Sequence, residues 1–148
     1  MWNKPRSILL SFILVRVLFL LAVASIFTLP WLVDVYINFS RKDTGISTPL
    51  LVTLYSCLVP AFGVLICLDR ILLNIRKGLV FVAQNVQYLR ILSWCCFAVS
   101  LICLLSGYYY VLFLLIGFAA AFFGLILRVL KNVFEQAVEL KEESDFTV

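Results

Sequence analysis

Few residues in this chain have the types and spacing that chemistry requires. Its 148 residues contain no histidine, and the five cysteines, at positions 57, 67, 95, 96 and 103, form no C-x-x-C pair. A thiolate needs an accompanying base, cation or further ligands to act as a nucleophile or a zinc ligand. The sequence offers no Cys/His or Ser/His arrangement, no Gly-rich phosphate loop and no paired carboxylates within an apolar segment. We therefore predict no enzyme activity, no catalytic residues, no metal site and no cofactor.

Four arginines are the most regularly placed charges. Each begins an Arg-(Val/Ile)-Leu triplet at one end of a long apolar segment: Arg16, Arg70, Arg90 and Arg128. Charges at membrane depth need partners, and Asp69 is the only nearby acid before the C-terminal tail. We predict that Asp69 pairs with Arg16, Arg90 or Arg128, and that the four arginines are candidates to hold an anionic lipid head group or a phosphate. The alternative is that they only anchor and orient the segments.

The apolar segments between these arginines are long enough to cross a bilayer. Hydrophobic residues make up 64% of the chain and charged residues 14%, too few charges for a water-soluble domain of this size. A hydrocarbon core of about 30 Å takes about twenty helical residues. The predicted spans are 8–33, 49–68, 88–105 and 109–127. The predicted fold is all-α, a four-helix transmembrane bundle in up-down-up-down order, with 1–148 as a single integral membrane domain.

Two helix-breaking residues interrupt the second span and its continuation. Pro60 has no amide proton, so the carbonyl of Ser56 loses its helical partner and we predict a kink. The hydroxyls of Thr53 and Ser56 are candidate donors to that carbonyl, and a gating hinge is the alternative role. Gly78 is predicted to end any helix continuing from this span, with 79–82 lying along the membrane surface.

Small residues in the fourth span predict close helix packing. Gly117 and Ala121, and likewise Ala120 and Gly124, have small-xxx-small spacing. A tight turn at 106–107 makes the third and fourth spans adjacent. We predict a partner helix within the same chain, with a second copy, and hence an oligomer, as the alternative.

The distribution of lysine and arginine predicts the orientation. Arg41 and Lys42 fall in the predicted outer loop 34–48. The other ten fall on the opposite side: Lys4, Arg6, Arg16, Arg70, Arg76, Lys77, Arg90, Arg128, Lys131 and Lys141. The positive-inside rule then places both termini in the cytoplasm. We interpret the net charge of +4 as membrane orientation and attraction to anionic lipid, not as direct binding to nucleic acid.

The tail 128–148 is predicted to continue the fourth span as a cytoplasmic amphipathic helix. Leu130, Val133, Ala137 and Leu140 form its apolar face. A β-prone ending, 146–148, is able to add to the sheet edge of a partner. The tail either stays solvated or docked on its own basic loop, or it captures a cytoplasmic protein. The candidate partner-binding residues are Glu135, Glu139, Glu142, Glu143, Asp145 and Phe146.

The inner loop and the tail resemble a known family. The pattern Ile75-x-x-Gly78-x-x-Phe81-x-x-x-Asn85-x-x-x-Leu89-Arg90 and the ending 133–148 are similar to the signatures of the YoaS-like bacterial membrane proteins, domain-of-unknown-function family number 2975. Val82 stands where members often have a polar helix-capping residue, and Ser144 where they often have asparagine. The resemblance spans essentially the whole chain. It implies a bacterial cytoplasmic-membrane protein of unestablished activity, whose gene often neighbours that of a small Cro-repressor-like helix-turn-helix regulator.

Two functions of different classes remain open. The leading hypothesis is a non-enzymatic interaction or regulatory module that engages a cytoplasmic partner, for which the resemblance implies a small helix-turn-helix transcription regulator. The acidic tail and the basic inner loop favour it. The alternative is a transport-associated or self-protection (immunity-type) protein that acts on a peptide, a lipid or a toxic compound. Pro60, the small residues of the fourth span and the arginines favour that alternative.

Overall fold

Four α-helices account for nearly all of the described chain. The computed structural model describes residues 4–41, 44–108 and 110–147. The helices are α1 (Lys4–Ser40), α2 (Ser47–Arg76), α3 (Ala83–Ser106) and α4 (Leu112–Thr147), with a 3₁₀ turn at Thr44–Ile46. No strand occurs within those three ranges. Lys42, Tyr109 and Val148, which the sequence argument used, lie outside the described residues.

All four helices are long and apolar enough to cross a bilayer. The shortest, α3, has 24 residues, which at 1.5 Å per residue is about 36 Å, longer than a hydrocarbon core of about 30 Å. The predicted all-helical class and the predicted number of spans are therefore confirmed. The chain has the make-up of a multi-pass membrane protein.

The helices begin and end at residues other than those of the predicted spans. α1 continues to Ser40, so 34–40 are helical and not loop. Val33 and Ile37 explain this extension, because both are buried in one cluster with side chains of the other three helices. α4 begins only at Leu112, so the connection after α3 covers 107–111 and is longer than the expected tight turn.

The prediction of a β-prone ending is wrong for residues 146 and 147, the part of that ending that the structure describes. α4 is an unbroken helix to Thr147 and therefore includes Phe146. The physical reason is that the preceding segment, 130–143, is rich in Leu, Lys, Glu, Gln and Ala. These strong helix formers propagate a helix that the apolar span has already nucleated.

Each helix packs mainly on the next one along the chain. The α2–α3 interface joins Thr53 to Ser106 at one end, with 2.8 Å between the hydroxyl oxygens, and Asn74 to Asn85 at the other, also at 2.8 Å. The α3–α4 interface is the most extensive. α1 contacts α2 but barely contacts α4. The bundle is consequently open on one side.

Serine hydroxyls and glycines hold α3 against α4. The Ser100 hydroxyl donates to the carbonyl oxygen of Gly117 at 2.8 Å, and that of Ser93 to the carbonyl oxygen of Gly124 at 3.4 Å. A Cβ built on Gly124 would lie 2.9 Å from the ring of Phe97. The small residues of α4 therefore face a helix of the same chain, as predicted.

α2 passes Pro60 as a continuous helix. The Ser56 hydroxyl donates to the carbonyl of Val52 at 2.7 Å, and the Thr53 hydroxyl to that of Pro49 at 3.0 Å. Both hydroxyls thus bond one turn back along the helix, as serine and threonine commonly do. The prediction that they serve the Ser56 carbonyl is wrong.

The close approach at Gly124 generates a prediction. Gly124→Leu should lower the midpoint of unfolding by sodium dodecyl sulfate in mixed micelles, because overpacking costs about 1–3 kcal/mol. Ala119→Leu is the matched control, since Ala119 lies on the exposed side of the same helix. Equal midpoints for the two variants would contradict this α3–α4 interface.

Candidate functional site

The four triplet arginines lie at one end of the bundle, which we call the arginine end. Arg16 on α1 contacts Asp69 on α2. Arg128 on α4 lies over the ring of Trp94 on α3, with its Cζ atom 5.1 Å from the ring centre. Since α2 and α3 also meet there through Asn74 and Asn85, all four helices contribute to this end. The four triplet arginines therefore lie at the same end of the bundle, as expected, although Arg16 and Arg128 contact different neighbours.

Asp69 pairs with one of its three candidate partners. The Nη2 atom of Arg16 lies 3.3 Å from Asp69 Oδ1, and the two side chains are 67% and 22% exposed. Oδ1 itself is inaccessible and accepts no well-aligned hydrogen bond. The contact is therefore electrostatic rather than a directed hydrogen bond.

One buried asparagine fixes the connection between α2 and α3. Gly78 ends α2 as predicted, at φ +80°. Asn85 is fully buried, and its Nδ2 donates to the carbonyls of Leu79 at 3.1 Å and Val80 at 2.7 Å. Its Oδ1 accepts from Nδ2 of Asn74 at 2.8 Å. Every polar atom of this side chain is hydrogen-bonded, so the connection 77–82 is held in a defined conformation against α2 and α3.

Sequence reasoning did not find this role of Asn85. The available signal was an amide side chain three residues after Val82, which precedes α3 without offering a capping side chain. The carbonyl of Val82 accepts from the backbone amides of Asn85 at 3.1 Å and Val86 at 3.4 Å, as the residue before a helix does whatever its side chain. Position 82 therefore contributes backbone hydrogen bonds and no side-chain cap to the start of α3.

The same connection packs on the extension of α4. The rings of Phe81 and Phe134 meet edge to face, with centres 5.3 Å apart. Phe134 also packs against the buried cluster of Cys67, Leu89 and Leu92. This aromatic contact attaches the α4 extension to the rest of the bundle.

The face of the extension that meets the bundle differs from the predicted one. Lys131, Phe134 and Val138 are half-buried, and so is Ala137 of the predicted apolar face, whereas its other members Leu130, Val133 and Leu140 are exposed. A helix turns by about 100° per residue, so the two faces differ by a rotation of about one residue. The sequence pattern alone did not predict that Phe134 would be on the side of the helix that packs against the bundle.

Glu135 is engaged within the chain, beyond the apolar part of α4. Lys131 Nζ lies 3.0 Å from Glu135 Oε2. The hydrogen bond and charge of Lys131, with a smaller effect of Arg90, hold the pKa of Glu135 below its ordinary value of 4.5. Because the pKa is lowered, the stabilisation from this pair is present above pH 4.5 and is lost as the pH falls below it.

The remaining candidate partner-binding residues are displayed away from the bundle. We call residues 139–147 the acidic arm. Every side chain from Glu139 to Phe146 is exposed, and Phe146 is 91% exposed. The arm contains four acids and one lysine. It is therefore a negatively charged helix with apolar side chains at Leu140 and Phe146.

The other candidate chemistry is sparse. Within the described ranges, no three His, Cys, Asp or Glu side chains lie close enough to hold a metal ion. Cys57 and Cys103 are neighbours across the α2–α3 interface, with their sulfur atoms 3.9 Å apart. The hydroxyls of Tyr36 and Tyr110 lie 2.5 Å apart at the opposite end.

Comparison with known proteins identifies one family. A family model described as a protein of unknown function, DUF2975, matches residues 7–148. No curated protein and no solved structure matches the chain. The matched region includes the connection 77–82, the arginine end and the acidic arm.

The network around Asn85 generates a prediction. Asn85→Ala removes the donor to two loop carbonyls and the acceptor for the Asn74 amide. Since each buried polar group left unpaired costs about 1–3 kcal/mol, the connection should open more often, and the amides of 77–82 should exchange faster with deuterium. Gln84→Ala, at an exposed neighbouring position, is the control. Unchanged exchange in the Asn85 variant would contradict the assigned role.

Proposed function

The chain belongs to the DUF2975 family of proteins of unknown function, and we propose that it is a non-enzymatic membrane module that presents an acidic helix to a cytoplasmic protein partner. The observation that carries this proposal is the continuity of α4. It has 36 residues, about 54 Å, against a hydrocarbon thickness of about 30 Å. Its charges all lie in 128–147, so the helix extends well beyond the bilayer.

The proposed topology follows from the charges. The four helices cross the membrane in up-down-up-down order, with the arginine end and both termini in the cytoplasm. The proposed location is the bacterial cytoplasmic membrane, in line with the resemblance to the YoaS-like proteins. The acidic arm then lies in the same compartment as soluble cytoplasmic proteins.

The position of the acids within α4 supports a cationic partner. Asp145 lies in the last turn of the helix, which holds no basic residue, and Glu142 and Glu143 lie in the turn before it. The carbonyl end of a helix carries partial negative charge, so an acid in the last turn is unfavourable there. A partner with lysines and arginines relieves this repulsion, and the arm therefore favours binding positive charge.

The partner surface is proposed to be a basic groove with an apolar floor. Leu140 and Phe146 supply apolar contacts, and the acids steer the encounter. A small helix-turn-helix transcription regulator has this chemistry, since surfaces that bind nucleic acid are rich in lysine and arginine. Because the described arm is helical, helix-in-groove binding replaces the strand addition expected from the sequence.

The second candidate function is transport-associated or self-protecting. A groove of about 540 Å³ opens between α1 and α4 in the middle of the bundle, lined almost entirely by apolar side chains. It favours an apolar compound within the bilayer. We rank it second because the groove has no polar side chain to select a ligand, apart from Ser25, whose hydroxyl donates to the carbonyl of Leu21 at 2.8 Å.

Site-directed cross-linking tests the arm. A photoreactive phenylalanine analogue at Leu140 should cross-link a soluble protein in cells, and reversing Glu139 and Glu142 to lysine should reduce the product several-fold. Asp34→Lys is the matched control, because it reverses one exposed charge at the opposite end. Products that are unaffected by reversal of the arm, or equally affected by the control, would reject the proposed partner site.

Cysteine accessibility tests the topology. Gln136→Cys should react with a membrane-impermeant maleimide only after the cells are opened, whereas Asn38→Cys should react in intact cells. Both positions are exposed, and the native cysteines lie within the spans. The reverse pattern of labelling would place the arm outside the cell and exclude a cytoplasmic partner.

A further inference from the structure

A cleft between α1 and α2 carries three arginines at the arginine end. Two hollows of about 270 and 260 Å³ follow each other along it. Phe12, Arg16 and Phe19 line them from α1; their spacing of four and three residues places them on one helix face. Arg70 and Arg76 line them from α2. The cleft therefore consists of two neighbouring hollows, one lined by Arg76 and the other by Arg16 and Arg70.

The charges in the cleft do not cancel. Arg16 contacts Asp69 through one nitrogen. Arg76 lies over the ring of Phe12, with its Cζ atom 5.7 Å from the ring centre. Arg70 is exposed and has no ion pair with any other described residue. One acid thus faces three arginines, and the cleft attracts anions.

The charged part of the cleft lies at a depth that lipid phosphates can approach. Ala22 and Ala61 line the groove in the middle of the bundle. Along the helix axes, Arg16 is about 9 Å from Ala22, and Arg70 about 14 Å from Ala61. Half of a hydrocarbon core is about 15 Å, so long arginine side chains reach the head-group boundary. The apolar part of the cleft, at Phe19, extends from there toward the bilayer centre.

We propose that this cleft binds one anionic phospholipid, with its phosphate at Arg70 and Arg16 and an acyl chain along Phe19 and Ile66. Guanidinium groups bind phosphate through paired N–H donors, which suits this arrangement. The apolar lining favours a lipid over free phosphate, because free phosphate would leave that surface uncovered. Asp69 weakens the site by occupying Arg16. This site is independent of the acidic arm and of its proposed partner.

Native mass spectrometry of the full-length protein in detergent tests this site. The wild type should retain phosphatidylglycerol in preference to phosphatidylcholine of the same acyl chains. Arg70→Gln should weaken phosphatidylglycerol binding about five-fold, the contribution expected of one arginine near anionic lipid. Asp69→Asn should strengthen it, because Arg16 is released. A general loss of folding would weaken lipid binding in both variants, so it would not produce opposite effects of Arg70→Gln and Asp69→Asn.

Arg41→Gln is the matched control, because it removes the same charge at the opposite end of α1 and should leave lipid binding unchanged. Equal retention of the two lipids by the wild type, or equal effects of the Arg70 and Arg41 variants, would overturn the proposal. Displacement of phosphatidylglycerol by an equal concentration of inorganic phosphate would also overturn it, since the site would then recognise phosphate alone. The comparison of the two lipids on the wild type needs no variant to fold.

Discussion

The structure depends on one constraint: inside a hydrocarbon layer, polar groups must be satisfied by the protein itself. Helices meet this requirement for the backbone, and the hydroxyls within them follow the same rule. Ser11, Ser25, Thr28 and Ser56 each donate to the carbonyl four residues earlier. These hydroxyls therefore make their hydrogen bonds within their own helix, and they do not determine which helix packs beside it. Contacts between helices must come from other residues.

The α3–α4 pair shows how neighbours are specified under this constraint. Apolar surface gains little from helix association in lipid, because the lipid is equally apolar, so close packing and hydrogen bonds between helices decide the partner. Ser93 and Ser100 bond across the interface, and Gly117 and Gly124 let the backbones approach. α1 is joined to the rest of the bundle through long tyrosine side chains: the Tyr55 hydroxyl donates to the carbonyl of Ile26 at 2.7 Å, and Tyr36 bonds Tyr110. Large side chains of α1, such as Phe27 at 80% exposure, face outward, and the open groove and the arginine cleft both border this helix.

The long apolar runs predicted the number and class of the helices, because the bilayer thickness fixes how many residues a span requires. They did not predict the helix ends, since Val33 and Ile37 extend α1 through contacts with distant residues. The choice of Arg16 as the partner of Asp69 depended on which helices are neighbours and in what register. The role of Asn85 depended on two loop carbonyls whose positions exist only in the folded chain. Local composition thus predicted the elements, whereas relative placement of helices decided the site.

The helical structure of the acidic arm follows from its continuity with the apolar part of α4. An isolated helix shorter than about 12–15 residues is marginal in water, because forming the first turn is costly. The arm avoids that cost, since it propagates from a helix that already exists. Its attachment at Phe134, against Phe81, then sets its direction relative to α2 and α3. Phe146 lies about 18 Å beyond Phe134 along the helix axis, so a short polar segment holds apolar and acidic side chains at a defined distance from the contact of Phe134 with Phe81.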